Sequence, residues 1–267
     1  MKKQHIILTS DFGLDGSYVG LMKGVIARIA PFADTLDLTH AIEPQNIRQG
    51  SFILKNAMRY FPDGSIYLTV IDPGVGSHRR SIAAKCCDSY FIAPDNGVLS
   101  YIFDDHEPEV VVELTESEYH IEPVSDTFHG RDIFAPAAAH IAAGIDIKKL
   151  GREIAPDSLE RLHPPVCFID REGILHGEIV YADSFGNLIT SVSRDFLQQN
   201  QKKGKNWIFT IKGKKIFGLS KTYSDVEIGK FIAYFGSSNY LEIGVRNGNA
   251  ANVIGTKSNL EFSGELV

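Results

Sequence analysis

The first half of the chain alternates short apolar runs with longer stretches in which apolar residues recur every three or four positions. HIILTS (5–10) is a run of the first kind, and GSYVGLMKGVIARIA (16–30), which ends before Pro31, is of the second. The short run predicts a buried strand and the longer stretch predicts an amphipathic helix. Because this alternation repeats, we expect an α/β fold with a mostly parallel sheet and flanking helices.

The pattern changes after HPPV (163–166), which reads as a linker. Short runs rich in β-branched and aromatic residues follow, such as GILHGEIVYAD (173–183) and YLEIGV (240–245), with glycine and asparagine between them. Regular short strands with turn signals predict a smaller all-β domain of barrel or sandwich type. The sequence therefore predicts an α/β N-terminal domain over 1–162 and a β-barrel C-terminal domain over 167–267.

Composition narrows the classes of function. The chain has 267 residues and a formal net charge of -6, and it lacks the basic stripe that nucleic-acid binding requires. It shows neither the apolar core of a signal peptide nor a run long enough to span a bilayer, so we expect a cytoplasmic protein without a membrane partner. Three cysteines, Cys86, Cys87 and Cys167, form no zinc spacing, and we expect buried thiols in a reducing compartment.

Polar residues at strand ends are the first candidates for chemistry, since ligands of open parallel sheets lie beyond the carboxyl ends of the strands. Asp11 follows the first strand, where it either accepts hydrogen bonds from a ribose diol or caps the next helix. Asp72 ends a later strand and is followed by Pro-Gly-Val-Gly, Arg79 and Arg80. This carboxylate either orients a polar molecule together with an arginine or forms an ordinary turn ion pair.

A single histidine precedes the helix predicted from TFHGRDIFAPAAAHIA. Lone histidines are more often structural than catalytic, but Gly130 beside His129 suggests a hinge that lets the imidazole reach a pocket. Arg131 and Asp132 are expected to pair or to cap the helix start. No HExxH or GxSxG pattern occurs in the sequence, so metal and serine-nucleophile chemistry have little support.

In the C-terminal part, DSFGN places Asp183, Phe185 and Asn187 at a strand–turn–strand boundary. An asparagine here could read an adenine edge while the phenylalanine stacks on the ring, or the segment could be an ordinary hairpin turn. The glycine- and asparagine-rich stretch 235–251 either offers backbone groups to a ligand or forms two turns.

Taken together, these segments resemble one known family. The motifs are SDFG, VIDPGVGSxRR, APDNGVL, TFHGRDIFAPAAAHIA, DSFGNLIT and GSSNYLEIGVRNGNAA, in the order and spacing that the family shows. The chain is similar to the S-adenosylmethionine (SAM) hydroxide adenosyltransferases, or adenosine-forming SAM hydrolases, over almost its whole length. The resemblance implies hydrolysis of SAM to adenosine and methionine without a cofactor or metal. It also implies a homotrimer with SAM bound between the N-terminal domain of one subunit and the C-terminal domain of its neighbour.

The resemblance also implies roles for individual residues. Asp72, Arg79 and His129 match the family's water-orienting triad, although Arg80 lies directly beside Arg79. Asp11 matches the ribose contact, Asp183 the methionine end, and Phe185 and Asn187 the adenine side. Ser237, Ser238 and Arg246 lie in the C-terminal ligand motif, and Arg246 stands where many relatives carry another residue.

The related fluorinases and chlorinases are the main alternative. They carry an additional surface loop that is absent from RRSIAAKCCDSYFIAPDNG (79–97), and they lack the Asp-Arg-His set. Both differences favour water over halide as the nucleophile. A chlorinase-like halogenase stays open as the alternative enzyme, and a protein that binds SAM or adenosine without turnover is the alternative outside enzymes.

Overall fold

The computed structural model describes residues 4–267 of the chain. These residues form two compact units, with the division between Leu162 and His163. The first unit is an α/β structure and the second is an antiparallel, barrel-like structure. The predicted fold class is confirmed in both units.

Within the described part of the first unit, seven strands form one sheet: β1 (His5–Ser10), β2 (Asp34–Thr39), β3 (Ile66–Val70), β4 (Ser81–Cys86), β5 (Ser89–Pro94), β6 (Val110–Leu114) and β7 (Gly151–Glu153). Their order is β2-β1-β3-β5-β4-β6-β7. The pairs β1–β2, β1–β3 and β3–β5 are parallel. The pairs that β4 makes with β5 and β6, and the pair β6–β7, are antiparallel, so one side of the sheet is parallel and the other is not.

Helices cover both faces of this sheet. They are α1 (Tyr18–Ile29), α2 (Ile47–Ala57), α3 (Ser100–Phe103) and α4 (Ala135–Ala142). Helices α1 and α4 pack on the face that carries Ile6 and Leu8, whereas α2 and α3 pack on the opposite face, which carries Ile7. Strands buried on both faces explain why HIILTS is a continuous apolar run rather than an alternating one.

The sheet has a switch point at β1. The chain moves from β1 to β2 on one side and then returns to β3 on the other side of β1, with α1 and α2 on opposite faces. Such a reversal leaves a crevice beyond the carboxyl ends of the two central strands. Asp11 directly follows β1, and Asp72 lies two residues after β3. The fold therefore brings the two carboxylates that the sequence predicted to the same edge.

The second unit contains the strands β8 (Cys167–Ile169), β9 (Leu175–Ala182), β10 (Leu188–Ser193), β11 (Trp207–Ile211), β12 (Lys214–Phe217), β13 (Phe231–Phe235), β14 (Tyr240–Val245) and β15 (Leu260–Leu266), with helices α5 (Arg194–Gln199) and α6 (Ala250–Ile254). The strand order is β12-β11-β15-β9-β10-β14-β13, and β8 adds to β9. The amide of Ser220, beyond β12, donates to the carbonyl of Ala233 in β13 over 2.9 Å. This bond brings the two edges of the sheet together around a core that includes Trp207 and Phe209.

Shorter helical turns complete the structure: Met58–Tyr60, Ser117–Tyr119, Ile147–Leu150, Pro156–Ser158 and Tyr223–Asp225 are 3₁₀ turns, and Gly130–Phe134 is a π-helical turn. Among residues 4–267, no helix combines the length and the apolar character needed to cross a membrane.

The cysteines differ from expectation at one position. Cys86 is buried and Cys167 is half-buried, but Cys87 is exposed. Cys87 and Asp88 form the two-residue turn between β4 and β5, and both have positive φ, at 51° and 56°. Two such residues are typical of a type I′ hairpin, which turns the Cys87 thiol outward. The prediction of buried thiols is therefore wrong for Cys87.

Candidate active site

Asp72 and Arg79 form a buried ion pair at the crevice. Arg79 Nε donates to both carboxylate oxygens of Asp72, over 2.9 and 3.1 Å, and Arg79 Nη2 donates to Oδ2 over 2.6 Å. The Arg79 side chain is only 9% exposed and the Asp72 side chain only 5%. Between the two residues, Gly76 has φ 74°, and a Cβ there would lie 2.4 Å from the carbonyl oxygen of Asp126. The turn that separates Asp72 from Arg79 therefore requires glycine at this position.

His129 joins this pair through Arg79. The distance between Arg79 Nη2 and His129 Nδ1 is 2.6 Å. A guanidinium has only N–H donors, so His129 Nδ1 must be the acceptor. A neutral imidazole then carries its proton on Nε2, which leaves an N–H donor on the other side of the ring. Asp72, Arg79 and His129 therefore form one hydrogen-bonded cluster, as the sequence predicted.

The surroundings keep His129 neutral at pH 7. Burial of the imidazole, together with the adjacent positive charge of Arg79, lowers the pKa of His129 below its ordinary value of 6.5. The charge of Asp72 opposes this shift without cancelling it. A neutral ring agrees with the Nδ1 acceptor that the bond to Arg79 requires.

The segment that carries His129 is held by Asp132 and Pro136. Pro136 has no N–H, so the carbonyl of Asp132 lacks its usual helical partner and instead accepts the amide of Ile121 over 2.8 Å. The fully buried carboxylate of Asp132 also accepts the amide of Ser125 over 2.9 Å and pairs with Arg131, as predicted. A π-helical turn results, a feature that is frequent at functional sites.

The structure shows how Gly130, the predicted hinge, is packed. It lies within the π-helical turn and has no positive φ. A Cβ at this position would lie 3.2 Å from the Phe128 ring and 3.3 Å from Met22 Sδ. A side chain at this position would require Phe128 or Met22 to shift by a few tenths of an ångström, so Gly130 allows close packing behind His129.

The two adjacent arginines have separate partners. Arg80 Nε donates to Asp95 Oδ2 over 2.8 Å, and its Nη2 donates to the carbonyl of Ser158. Arg79, rather than Arg80, contacts Asp72 and His129. Asp95 is thus occupied by Arg80 and by the amide of Glu160, and it does not cap the following helix.

A cavity of about 430 Å³ lies at the crevice of the first unit, and Asp11, Phe12, Tyr18, Gln45, Asp72 and Val75 are among its lining residues. Asp11 Oδ2 accepts the amide of Gln45 over 2.8 Å. Helix α1 has no side-chain hydrogen bond at its N-cap, Ser17, so neither Asp11 nor Asp15 caps it there. Asp11 and Asp72 thus share one cavity.

In the second unit, Asp183 organises the DSFGN turn. Its Oδ1 accepts the amides of Phe185 and Asn187 over 2.9 and 2.8 Å, and its Oδ2 accepts the Asn187 side-chain amide over 2.9 Å. Gly186 has φ 84°, and a Cβ there would lie 2.1 Å from the side chain of Asn249. The turn presents Phe185 with 77% of its surface exposed and keeps Asn187 buried.

Phe185 and Asn187 line a cavity of about 400 Å³ within the second unit, together with Tyr223, Val245, Asn247 and Gly248. The Tyr223 hydroxyl bonds that of Tyr234, which donates to Glu242 Oε2 over 2.6 Å. Burial raises the pKa of Glu242, and the nearby charge of Asp183 adds to that shift although the Tyr234 hydrogen bond opposes it. The cavity therefore offers aromatic faces and a side-chain amide.

The C-terminal motif forms two turns, as one of the two readings predicted. Ser237 and Ser238 occupy the hairpin turn between β13 and β14. Arg246 Nη1 donates to the carbonyl of Val226 over 2.6 Å. These three residues lie around the strands that carry the cavity, and a ligand role for them stays a prediction.

Comparison with known proteins decides the family. The SAM hydroxide adenosyltransferase N-terminal domain matches residues 6–151, and the corresponding C-terminal domain matches residues 177–262.

The chain belongs to the SAM hydroxide adenosyltransferase family.

Relatives in this family cover nearly the whole chain. A protein named (R)-S-adenosyl-L-methionine hydrolase from Thermus thermophilus is 35% identical over 96% of this chain and 97% of its own length. A fluorinase from Actinopolyspora mzabensis is 28% identical, with 89% of both chains covered. A solved structure of an uncharacterized conserved protein from Thermotoga maritima has 34% identity and a TM-score of 0.87, and the match covers 98% of this chain and 99% of that one.

Some residues of this family member contact the site but were not anticipated. Arg79 Nη1 donates to Ser81 Oγ over 2.7 Å, and its guanidinium lies over the Phe134 ring at 5.2 Å. Tyr223 lines the second cavity. The only sequence signal for Ser81 was a polar residue at the start of a buried strand, and no motif marked Phe134 or Tyr223.

Proposed function

We propose that this chain hydrolyses S-adenosyl-L-methionine to adenosine and L-methionine. The observation that carries the proposal is the cluster of Asp72, Arg79 and His129, joined by hydrogen bonds of 2.6 to 3.1 Å, with Asp72 and Asp11 on one cavity wall. Membership of the SAM hydroxide adenosyltransferase family and the names of the hydrolase relatives support it.

The reaction is a displacement at the ribose C5′ carbon. The oxygen of water forms a bond to C5′ as the C5′–sulfur bond breaks, and the electron pair of that bond goes to sulfur. Sulfur changes from a cationic sulfonium to a neutral thioether, so the leaving group needs no acid and no cofactor. One proton is released for each SAM consumed. The difficult partner is the nucleophile.

Magnitudes show what the site must supply. Water has a pKa of about 15.7, so forming free hydroxide at pH 7 costs roughly 12 kcal/mol. Holding the reactants in line recovers about 7–11 kcal/mol of a bimolecular barrier. A water molecule fixed in line with C5′ therefore recovers most of this free-energy cost. A preorganised cluster of charges lowers the rest of the barrier by stabilising the charge that develops in the transition state.

The hydrogen bonds of the cluster support particular roles. His129 Nδ1 is occupied by Arg79, so the side of the ring that can face water is Nε2–H, a donor. We therefore assign His129 to hold a lone pair of the water rather than to take its proton. Arg79 supplies fixed positive charge, and Asp72 fixes the guanidinium from a position on the cavity wall.

The remaining predicted contacts divide between the units. We assign Asp11 to the ribose diol, Phe185 to stacking on adenine and Asn187 to the adenine edge. The Asn187 amide nitrogen already donates to Asp183, which leaves Oδ1 to accept from the exocyclic amine. Asp183 is assigned to the methionine end, and Ser237, Ser238 and Arg246 to substrate binding through the C-terminal ligand motif.

We also propose a homotrimer in which SAM lies between the first unit of one subunit and the second unit of its neighbour. The proposal follows the family, and it fits the presence of one lined cavity in each unit: the first contains Asp11 and Asp72, and the second contains Phe185 and Asn187. Analytical ultracentrifugation of the purified protein tests it, since a monomer at micromolar concentration would contradict it.

The function is tested by incubating the purified chain with SAM and resolving the products by chromatography. We expect adenosine and methionine in equal amounts, with a rate that is independent of chloride. A chloride-dependent yield of 5′-chloro-5′-deoxyadenosine would instead support a halogenase. Binding of SAM or adenosine without any product would support a protein that binds without turnover.

A further inference from the structure

His40 lies between two of the loops that line the first cavity, the loop that follows β1 and the loop that follows β2. It directly follows β2, and its imidazole is almost fully buried between Ser10 and Asp37. Ser10 Oγ lies 2.7 Å from His40 Nδ1, and Asp37 Oδ1 lies 3.1 Å from His40 Nε2. Lys23 of α1 binds the other oxygen of Asp37 over 2.7 Å. No motif in the sequence drew attention to this chain of contacts.

The two sides of the His40 ring have different partners. Burial alone would raise the pKa of Asp37, but the hydrogen bonds from Lys23 and His40 outweigh it and hold that pKa below its usual value. The carboxylate is therefore ionised and accepts the Nε2–H of His40. On the other side of the ring, His40 Nδ1 and Ser10 Oγ share a hydrogen bond of 2.7 Å. Ser10 Oγ in turn accepts the amide of Phe12 over 3.3 Å.

This chain ends on the loop that carries Asp11. The backbone of His40 adds a second tie, because its carbonyl accepts the amide of Gly13 over 2.8 Å. The residues that follow His40 lead to Gln45, whose amide binds Asp11. His40 thus holds the Asp11–Gly13 loop by a side-chain bond and a backbone bond, and it starts the loop that contacts Asp11 from the other side.

The order Ser-His-Asp does not make Ser10 a nucleophile. Ser10 is 1% exposed, and its hydroxyl is engaged by both His40 and the amide of Phe12. A nucleophile must reach a substrate atom, and Ser10 is not among the residues that line the cavity. The arrangement is suited to holding a loop.

We propose that His40 is a positioning residue that fixes the Asp11 carboxylate for the ribose diol by way of Ser10. This inference rests on the proposed function, in which Asp11 contacts the ribose. Ribose contacts made equally in the ground state and the transition state change KM more than kcat. A loosened Asp11 loop therefore raises KM and weakens binding of the product adenosine.

Two substitutions separate the two sides of the imidazole. His40→Asn keeps a hydrogen-bonding amide near the Nδ1 position for Ser10, whereas His40→Gln keeps one near the Nε2 position for Asp37. We expect His40→Gln and Ser10→Ala to raise KM for SAM about fivefold to tenfold, the fold-change of one net hydrogen bond, with kcat changed less than about twofold. His40→Asn should stay within about twofold of the unmodified KM.

A matched control lies at the other end of the same strands. His5 of β1 pairs with Asp34 of β2 over 3.7 Å, away from the carboxyl ends that carry the cavity. His5→Asn should leave KM unchanged. Hydrogen exchange of the Asp11–Gly13 amides gives a readout that needs no turnover, and we expect faster exchange in His40→Gln and Ser10→Ala than in His40→Asn.

The outcomes are distinct. The inference is overturned if Ser10→Ala and His40→Gln keep the KM and the exchange rates of the unmodified chain. It is also overturned if His40→Asn is as impaired as His40→Gln, since the link to Ser10 would then not matter. If the unmodified chain forms no adenosine, the proposed function fails, while exchange of the Asp11–Gly13 amides still decides whether His40 holds the loop.

Discussion

The Asp72–Arg79–His129 cluster and the Phe185–Asn187 cavity use opposite kinds of surface. In the first unit, the Asp72–Arg79 ion pair has little exposure, and Arg79 also hydrogen-bonds to Ser81 and His129. In the second unit, an exposed phenylalanine and a buried amide line an open cavity. Fixed, desolvated charge is effective where charge develops in a reaction, whereas flat aromatic faces suit a neutral ring. In the proposed function, the first unit therefore carries the chemistry and the second unit binds the adenine base.

Both regions nevertheless use the same local device. Each is built on a glycine with positive φ that brings a turn against another part of the same unit: Gly76 against the carbonyl of Asp126, and Gly186 against the side chain of Asn249. A Cβ would lie 2.4 Å or less from those atoms. Neither turn could therefore carry a side chain at its glycine without a shift of its neighbour.

The largest expected effect comes from the charged cluster. His129→Ala removes the Nε2–H donor proposed to hold the water and leaves the Asp72–Arg79 pair intact. We expect kcat to fall by about 10²–10³, as for loss of one preorganised donor, while adenosine binding changes little. Asp72→Ala should lower turnover at least as much, because it also leaves Arg79 buried without its partner. Steady-state kinetics with calorimetry of adenosine binding measures both. Unchanged turnover in either variant would contradict the assignment of the chemistry to this cluster.

A smaller and different effect is expected in the second unit. Phe185→Ala removes the stacking face, which is worth about 1–3 kcal/mol per base, so KM should rise roughly tenfold with little change in kcat. Phe168 is the matched control, since it is also an exposed phenylalanine of this unit and packs on His176 instead. Phe168→Ala should leave KM unchanged. A fall in kcat without a rise in KM for Phe185→Ala would contradict its assignment to adenine binding.

The smallest effect concerns pH. Protonated His129 cannot accept the Arg79 donor, so kcat/KM should fall as pH drops through the lowered pKa of His129, and the midpoint should lie below 6.5. Folding stability follows the same direction. The contribution of neutral His129 to the free energy of unfolding is fully present above pH 6.5 and is lost as pH falls through the lowered pKa of His129. A pH–rate profile and thermal unfolding at several pH values check this. An acidic midpoint above 6.5 would contradict the assignment.

The strands that carry the site and the polar residues at their ends could be predicted from the sequence, because both depend on local patterns. Apolar runs gave β1 and β3, and polar residues at their ends gave Asp11 and Asp72, which the switch point then brought to one cavity. Family motifs added His129. The antiparallel pairing of β4 with its neighbours was not predicted, since parallel and antiparallel strands buried on both faces have the same apolar pattern.

The supporting contacts could not be predicted in the same way. Arg79 and Arg80 are adjacent in sequence, and only the folded structure shows that Arg79 bonds to Asp72 while Arg80 bonds to Asp95. Ser81 and His40 act through partners distant in sequence, and a single polar residue in an apolar stretch does not identify its partner. Gly130 shows the limit for glycine, since a hinge and a site of close packing look the same in sequence.

The central claim is that water supplies the oxygen that replaces sulfur at C5′. Turnover of SAM by the unmodified chain in water enriched in oxygen-18, with mass spectrometry of the adenosine formed, tests it directly. The account predicts one heavy oxygen in each adenosine, located at the 5′ position. Adenosine that carries only the ordinary isotope, or a 5′-halogenated nucleoside in its place, would contradict it.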